Sequence, residues 1–525
     1  MARKVANAEV MHERRWLMLI VICISLMVIG LDNTILNVAL PTLGRDLHAS
    51  TSSLQWMVDS YVLVFAGLLL TAGSLGDRFG RYRALTLGLA IFGVGSLASA
   101  LSGSAGVLIA TRAFMGIGGA FIMPATLSIV TNVFTDPIER GKAIGLWAGV
   151  SALGIGIGPL AGGFLLAHFY WGSIFFVNLP IVVVALIGGW FLVPDSRDPS
   201  APRLDPFGAL LSIVGLAVLL WAVIEAPSHG WSAPSILAGF AVGAAVLAGF
   251  VVWELHSSSP MLDMRFFENP RFSAASGAIT VTFFTLFGSL FLLTQYLQSV
   301  LGFSTLKAGA LVVPQAMVIM VGAPSSSGFV RRWGNKAVVG TGLVIVASSL
   351  VMLSRLGVTT PLWVLLGVTM TLGLGMSQIF APATDSIMGS LPREKAGVGS
   401  AMNDTTRQTG GAMGVAVLGS VLASRFHSAV THASLAQHLP ASVTAGIRGD
   451  IGSALRFAKT PAGQPYAATI NSIARQAYVS SFHTAVLIGA VAMLGAAALV
   501  VKWLPAREPA RDEITEPMLV ALDAA

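Results

Sequence analysis

Fourteen stretches of roughly 20 mostly apolar residues run through this chain, and that is the length an α-helix rising 1.5 Å per residue needs to cross the ~30 Å hydrocarbon layer of a bilayer. They fall at about 16–40, 53–73, 83–101, 106–131, 142–167, 174–193, 206–225, 235–254, 272–298, 306–329, 337–356, 361–388, 397–425 and 479–504. Only 10% of the 525 residues are charged, against roughly 25% in soluble domains, so no polar stretch can coat a soluble catalytic domain. The runs are continuous, as at 181–193, where a membrane barrel would alternate over roughly ten residues. Helices follow, and the 57 glycines suit close helix packing in lipid. The single cysteine, Cys23, excludes a disulfide framework. Arg3, Lys4, Arg14 and Arg15 precede the first run like the start of a signal peptide, but the run reaches Leu40 without a small-residue cleavage site and reads as a retained helix.

An even number of spans puts both termini on one side, and positive charge decides which. With the N-terminus in the cytoplasm, 21 Lys and Arg lie in cytoplasmic segments. Eight lie outside: Arg45, Lys307, Arg355, Arg425, Arg448, Arg456, Lys459 and Arg475. That asymmetry follows the positive-inside rule, so the net charge of +7 is a topology signal and nucleic acid is not expected as a partner.

The sequence also echoes itself. G-D-R-F-G-R at 76–81 returns as V-R-R-W-G-N at 330–335, and E-R-G-K-A at 139–143 as E-K-A-G-V at 394–398, at offsets of 254 and 255 residues. Both copies sit on the same side, as a parallel duplication requires. The expected organisation is an N-terminal six-helix bundle at 1–193, a linker and inserted hairpin at 194–271, a second six-helix bundle at 272–504, and a cytoplasmic tail at 505–525. The one long outer loop, 426–478, carries Val443, Ile447, Ile451 and Leu455 at helical spacing. It reads as a surface helix or a gating lid.

Four motifs carry chemistry. The turn G-S-L-G-D-R-F-G-R, Gly73 to Arg81, frames Asp77, Arg78 and Arg81 between glycines, Gly80 among them. Span 1 ends in L-D-N-T-I-L-N-V-A-L-P from Leu31 to Pro41, with Asp32 roughly 24 Å from the cytoplasmic end. A carboxylate there costs about 2.5–3.5 kcal/mol on insertion scales, so something must offset it. Span 4 holds Arg112 at a similar depth, and Asp59 of span 2 lies near the same level. A proton site and a static ion pair are both open for these three. Span 5 carries G-I-G-I-G-P-L-A-G-G, with Gly154, Gly158, Pro159, Gly162 and Gly163, a bent helix whose small face permits close contact with the opposite bundle.

These motifs together resemble the major facilitator superfamily, and the span 1 signature is similar to that of its fourteen-helix drug/proton antiporter branch. The resemblance covers essentially the whole membrane region. It implies an all-α fold of two six-helix bundles plus a two-helix insertion. It also implies a cytoplasmic latch from Asp77 to a helix start near Gly397, and a span 5 helix typical of antiporters.

In the second half, G-V-G-S-A-M-N-D-T-T-R-Q-T-G-G from Gly397 to Gly411 resembles the thirteenth helix of that branch and places Asn403, Asp404 and Arg407 together, with Asp385 as a neighbour. A structural or gating pair and a substrate or proton site are both open here. Phe283, Phe287, Phe291 and Gln295 on span 9 are either packing or the wall of a cavity for flat cations.

Export of amphipathic, often cationic compounds against inward proton flow is therefore the expected function, with the proton gradient as energy source, no cofactor and no metal. Its partners are small amphipathic substrates, protons and the bilayer, and a monomer in the cell membrane is expected to suffice. The alternative is a proton-coupled or uniport carrier of one metabolite. An enzyme is not expected, because neither a G-x-x-x-x-G-K-[ST] loop nor H-E-x-x-H occurs.

Overall fold

The structure is a computed structural model that describes residues 8–134, 136–196, 205–257, 260, 264–390 and 396–505. Arg3 and Lys4, linker residues 197–204, the turn at 391–395 and the tail from 506 lie outside the described residues. The chain runs α1 (Ala8–Asp46), α2 (Thr51–Phe79), α3 (Arg81–Ala100), α4 (Ala105–Val133), α5 (Pro137–His168), α6 (Ser173–Phe176) and α7 (Asn178–Leu192). The hairpin α8 (Pro206–His229) and α9 (Pro234–His256) follows, then α10 (Pro270–Gln295), α11 (Thr305–Trp333), α12 (Asn335–Leu353) and α13 (Leu362–Gly389). The chain continues through α14 (Ala396–Ala436), the short α15 (Ala441–Ile447) and α16 (Ile451–Phe457), and α17 (Ala467–Trp503).

Among the described residues 13 helices are long and apolar enough to cross a membrane. The remaining expected span, 142–167, falls in α5, where Ile157–His168 is the described apolar part. Helix starts follow from local chemistry. Ser50, Ser104, Asp136, Asp205 and Ser304 each accept a hydrogen bond from the backbone N–H three residues on, satisfying an amide that the first turn leaves free.

Two faces of the molecule are distinct. The terminal face carries the start of α1, the α2–α3 turn and the end of α17; the loop face carries the α1–α2 turn and α15–α16. Helices α1 to α7 pack mainly on one another, as do α10 to α14 with α17, while α8 packs on both α2 and α14. The duplication is visible in atomic detail. Gly80 and Gly334, 254 residues apart, both take positive φ (124° and 82°) between consecutive helices, a conformation open to glycine. A side chain on Gly116 would meet the Tyr61 carbonyl at 2.6 Å, and one on Gly373 the Gln315 carbonyl at 2.7 Å. Tyr61 and Gln315 are again 254 residues apart, so α2 crosses α4 as α11 crosses α13.

Among the described residues, several hydrogen bonds join the two bundles in the loop-face half. Gln55 of α2 donates to the carbonyls of Val415 and Ala416 at 3.1 and 2.9 Å. Gln298 donates to the Val38 carbonyl at 2.8 Å, Thr305 to that of Gly163 at 3.3 Å, and Arg456 to that of Gly44 at 2.7 Å.

The expected outer loop 426–478 is shorter in the structure. α14 continues to Ala436 and α17 begins at Ala467, leaving the two short α-helices α15 and α16 where one was expected. The break comes at Gly449–Asp450, where Asp450 and Ser453 form a reciprocal cap that starts α16. Val443, Ile447 and Ile451 are nevertheless buried.

Candidate functional site

A fully buried polar cluster is built by α1, α4 and α7 with support from α2 and α3. Nη1 of Arg112 pairs with Oδ2 of Asp32, its Nε donates to the Met57 carbonyl at 3.0 Å, and its guanidinium lies 4.4 Å over the Tyr61 ring. The two side chains are 1% and 0% exposed. Asn178 at the start of α7 donates from Nδ2 to Oδ1 of Asp32 at 3.4 Å and to Ser96 Oγ at 3.0 Å. Charges this deep persist when paired and hydrogen-bonded on every side. Arg112 also borders a small void between the bundles, together with Asn33, Asn37 and Val58 on one side and Phe287, Gly411 and Val415 on the other.

Asp59 shares the depth of this cluster but not its face. Met57 and Tyr61 point toward α4, and at about 100° per residue Asp59 stands roughly 160° from each of them around α2. It lies instead on the face of Leu63 and Ala66, which meet Leu216 and Leu220 of α8 and Gln408 and Ala412 of α14. Asp59 is fully buried, and neither of its carboxylate oxygens has a hydrogen-bond partner. The expected three-membered group is thus a pair plus a separate acid.

α5 divides its small residues between two partners. Gly154, Gly158 and Gly162, four residues apart, face α1: side chains there would strike Gly30, Leu31 and Thr34, or Ile35. These are the residues around Asp32. Gly163 and Pro159 face the opposite bundle. A side chain on Gly163 would lie 2.7 Å from the Thr305 carbonyl, and one on Gly309 would collide with the Pro159 carbonyl.

The second bundle gathers Asn403, Asp404 and Arg407 of α14 beside α10 and α13. Arg407 Nη1 lies 3.8 Å from Asp404 Oδ1, its Nη2 donates to Thr384 Oγ1 at 3.3 Å, and Thr384 donates to Asn403 Oδ1 at 3.3 Å. The guanidinium sits 5.3 Å over Phe283, which packs against Phe380 at 5.0 Å and Phe287 at 6.0 Å. Asp385 is exposed; its neighbour Thr384 is the residue that reaches Arg407. Phe291 is wholly buried in the core, and Gln295 is turned back onto the Phe291 carbonyl at 3.4 Å, so neither borders the void that Phe287 borders.

On the terminal face, Asp77 Oδ1 accepts from Arg81 Nε at 2.7 Å, and Arg78 lies over Phe79. Gly73 passes Pro124 of α4. The chain after α7 docks on this turn: the Arg81 N–H donates to the Ser196 carbonyl at 2.9 Å and Arg83 meets Asp195 at 3.2 Å. A side chain on Gly80 would lie 2.5 Å from Asp195 Oδ1, so that glycine serves both the turn and the docking. The expected latch partner near Gly397 has its side chains outside the described residues.

Sequence reasoning missed Asn178, Thr384, Phe380 and Asp195. Asn178 had a signal, a lone amide in the apolar run F-F-V-N-L-P; the other three had none.

A family model for the Major Facilitator Superfamily matches residues 22–415. The multidrug efflux pump LfrA of Mycolicibacterium smegmatis is 37% identical, over 93% of this chain and 96% of its own. The tetracenomycin C resistance and export protein of Streptomyces glaucescens is 33% identical, over 98% and 96%. The methyl viologen resistance protein SmvA of Salmonella typhimurium is 34% identical, over 92% and 96%. Among solved structures, an inward-facing bacterial homolog of the human lysosomal transporter Spinster superposes with a TM-score of 0.65 at 18% identity, covering 95% of this chain and 99% of that one. That likeness concerns the fold.

Proposed function

As this chain belongs to the major facilitator superfamily, a family of multi-pass membrane transporters rather than enzymes, we propose that it exports amphipathic, often cationic drugs in exchange for protons. The relatives named for multidrug efflux, antibiotic export and methyl viologen resistance support the cargo class. The observation that carries the coupling is the buried Asp32–Arg112 pair at the edge of the void between the bundles. A carboxylate can take up and release a proton, and a fixed guanidinium beside it makes its charge state a structural variable. Protonation removes the charge–charge attraction that this pair adds between α1 and α4, and α1 is the helix on which the α5 glycines pack. A change at Asp32 is thereby passed to α5 and, through Gly163 and Pro159, to the opposite bundle.

The charge asymmetry supports a terminal face in the cytoplasm of a cell membrane. The proton gradient is the energy source, no cofactor is required, and one chain suffices, since both bundles and the void between them belong to a single molecule.

Proteoliposomes test this reading. With an acidic lumen and neutral exterior, the protein should drive uptake of ethidium and release lumenal protons in step, and a protonophore should discharge the gradient. Uptake of no compound in a panel of drugs, or uptake indifferent to the proton gradient, would overturn it.

A further inference from the structure

The pair of buried Asp404 and half-buried Arg407 is poorly satisfied for two charges within a membrane protein. Its 3.8 Å separation is about 1 Å beyond a charge-assisted hydrogen bond. Nε of Arg407 is buried without a hydrogen-bond partner, and Nη2 reaches only the Thr384 hydroxyl at 3.3 Å. Asp404 keeps 11% of its side chain accessible and Arg407 30%, so the arginine is the movable partner. What Arg407 does possess is an aromatic seat: its planar, delocalised cation lies 5.3 Å over Phe283, with Phe287 and Phe380 against that ring.

A flat cation on an aromatic face beside a carboxylate is also how a planar aromatic drug cation is recognised. We propose that Arg407 is a tethered stand-in for cargo: in the empty transporter it fills the Phe283–Asp404 seat, and a planar monocationic aromatic cargo displaces it. The seat then keeps one positive charge whether or not cargo is bound, so the buried Asp404 is never left alone. Neutral cargo cannot make this exchange and binds without moving Arg407. This rests on the export reading above and adds to it the chemistry that selects among cargoes.

The test is equilibrium binding to the purified full chain in nanodiscs, with ethidium as planar cation and N-phenyl-1-naphthylamine as neutral aromatic. Arg407→Gln removes the competing cation and should tighten ethidium at least fivefold, leaving the neutral probe within twofold. Asp404→Asn should weaken ethidium at least tenfold with the neutral probe again within twofold. Arg407→Lys keeps the charge without the planar fork and should fall between wild type and Arg407→Gln. Ethidium binding that is unchanged or weakened in Arg407→Gln overturns the stand-in role, as does equal loss of both probes. Failure of both Arg407 variants to fold would assign the residue to structure and overturn it as well. Wild-type protein that transports ethidium while Arg407→Gln binds it as wild type does removes this inference alone; wild-type protein that transports nothing removes the export reading.

Discussion

Arg112 closes on Asp32 across 80 residues of sequence, joining α4 to α1 through a charge pair in which neither side chain is more than 1% exposed. Asn178 and the Met57 carbonyl complete its shell. Removing one partner of a pair this deep leaves an uncompensated charge, whereas removing both does not.

Arg112→Leu should therefore destabilise the folded transporter by about 3–5 kcal/mol. Adding Asp32→Asn should recover most of that loss without restoring transport. Detergent-solubilised melting curves of the two single variants and the double variant check this, and strictly additive losses would show that the charges do not depend on each other.

The two sets of α5 glycines should fail differently. Gly158→Val drives a side chain into Thr34 and the Leu31 carbonyl within the first bundle, and should lower the yield of folded protein. Gly163→Val instead meets the Thr305 carbonyl and Leu306 across the bundles. It should leave the bundles folded but widen the loop face, read as a longer distance between spin labels on the loop-face ends of α1 and α11.

Arg456 of α16 donates to the Gly44 carbonyl at 2.7 Å, near the C-terminal end of α1, where a helix end favours positive charge. Arg456→Ala should remove about 1 kcal/mol of loop-face closure, shifting the open-to-closed ratio about fivefold. Single-molecule energy transfer across the loop face measures that ratio directly.

Asp77 is held by Arg81 in its own turn at 2.7 Å, and the pair is partly exposed. Such a pair contributes about 0.2–1 kcal/mol, so Asp77→Asn should leave this conformation nearly unchanged. If Asp77 turns to the start of α14 when the terminal face closes, the variant should lose that closed state. Label distances across the terminal face should then lengthen on average, and identical distributions would count against a latch.

The charged pair was legible in the sequence because a carboxylate and a guanidinium in apolar runs are costly enough to demand each other. The position of Asp59 was not, since helical phase tells that Asp59 and Tyr61 diverge but not which face of α2 looks at α4. The same limit applies to span 9. Residues four apart drift by about 40°, so from Phe283 to Phe291 the helix turns about 80°, enough to carry Phe291 from the cleft side into the core. On α5 the spacing of Gly154, Gly158 and Gly162 was readable, while their packing on α1 rather than on the other bundle is a tertiary fact. The α15–α16 break was locally encoded by G-D-I-G-S at 449–453, but an unbroken apolar period ran across it.

Proton-coupled accumulation by Asp32→Asn tests the central claim most directly. The amide replaces the carboxylate at nearly equal size and its oxygen can still accept from Arg112, so that although stability falls the folded protein should still bind ethidium, yet it has no proton to exchange. In proteoliposomes with an acidic lumen, wild-type protein should concentrate ethidium inside and alkalinise the lumen, while Asp32→Asn should do neither. A folded Asp32→Asn protein that still concentrates ethidium and moves protons in step would contradict the account.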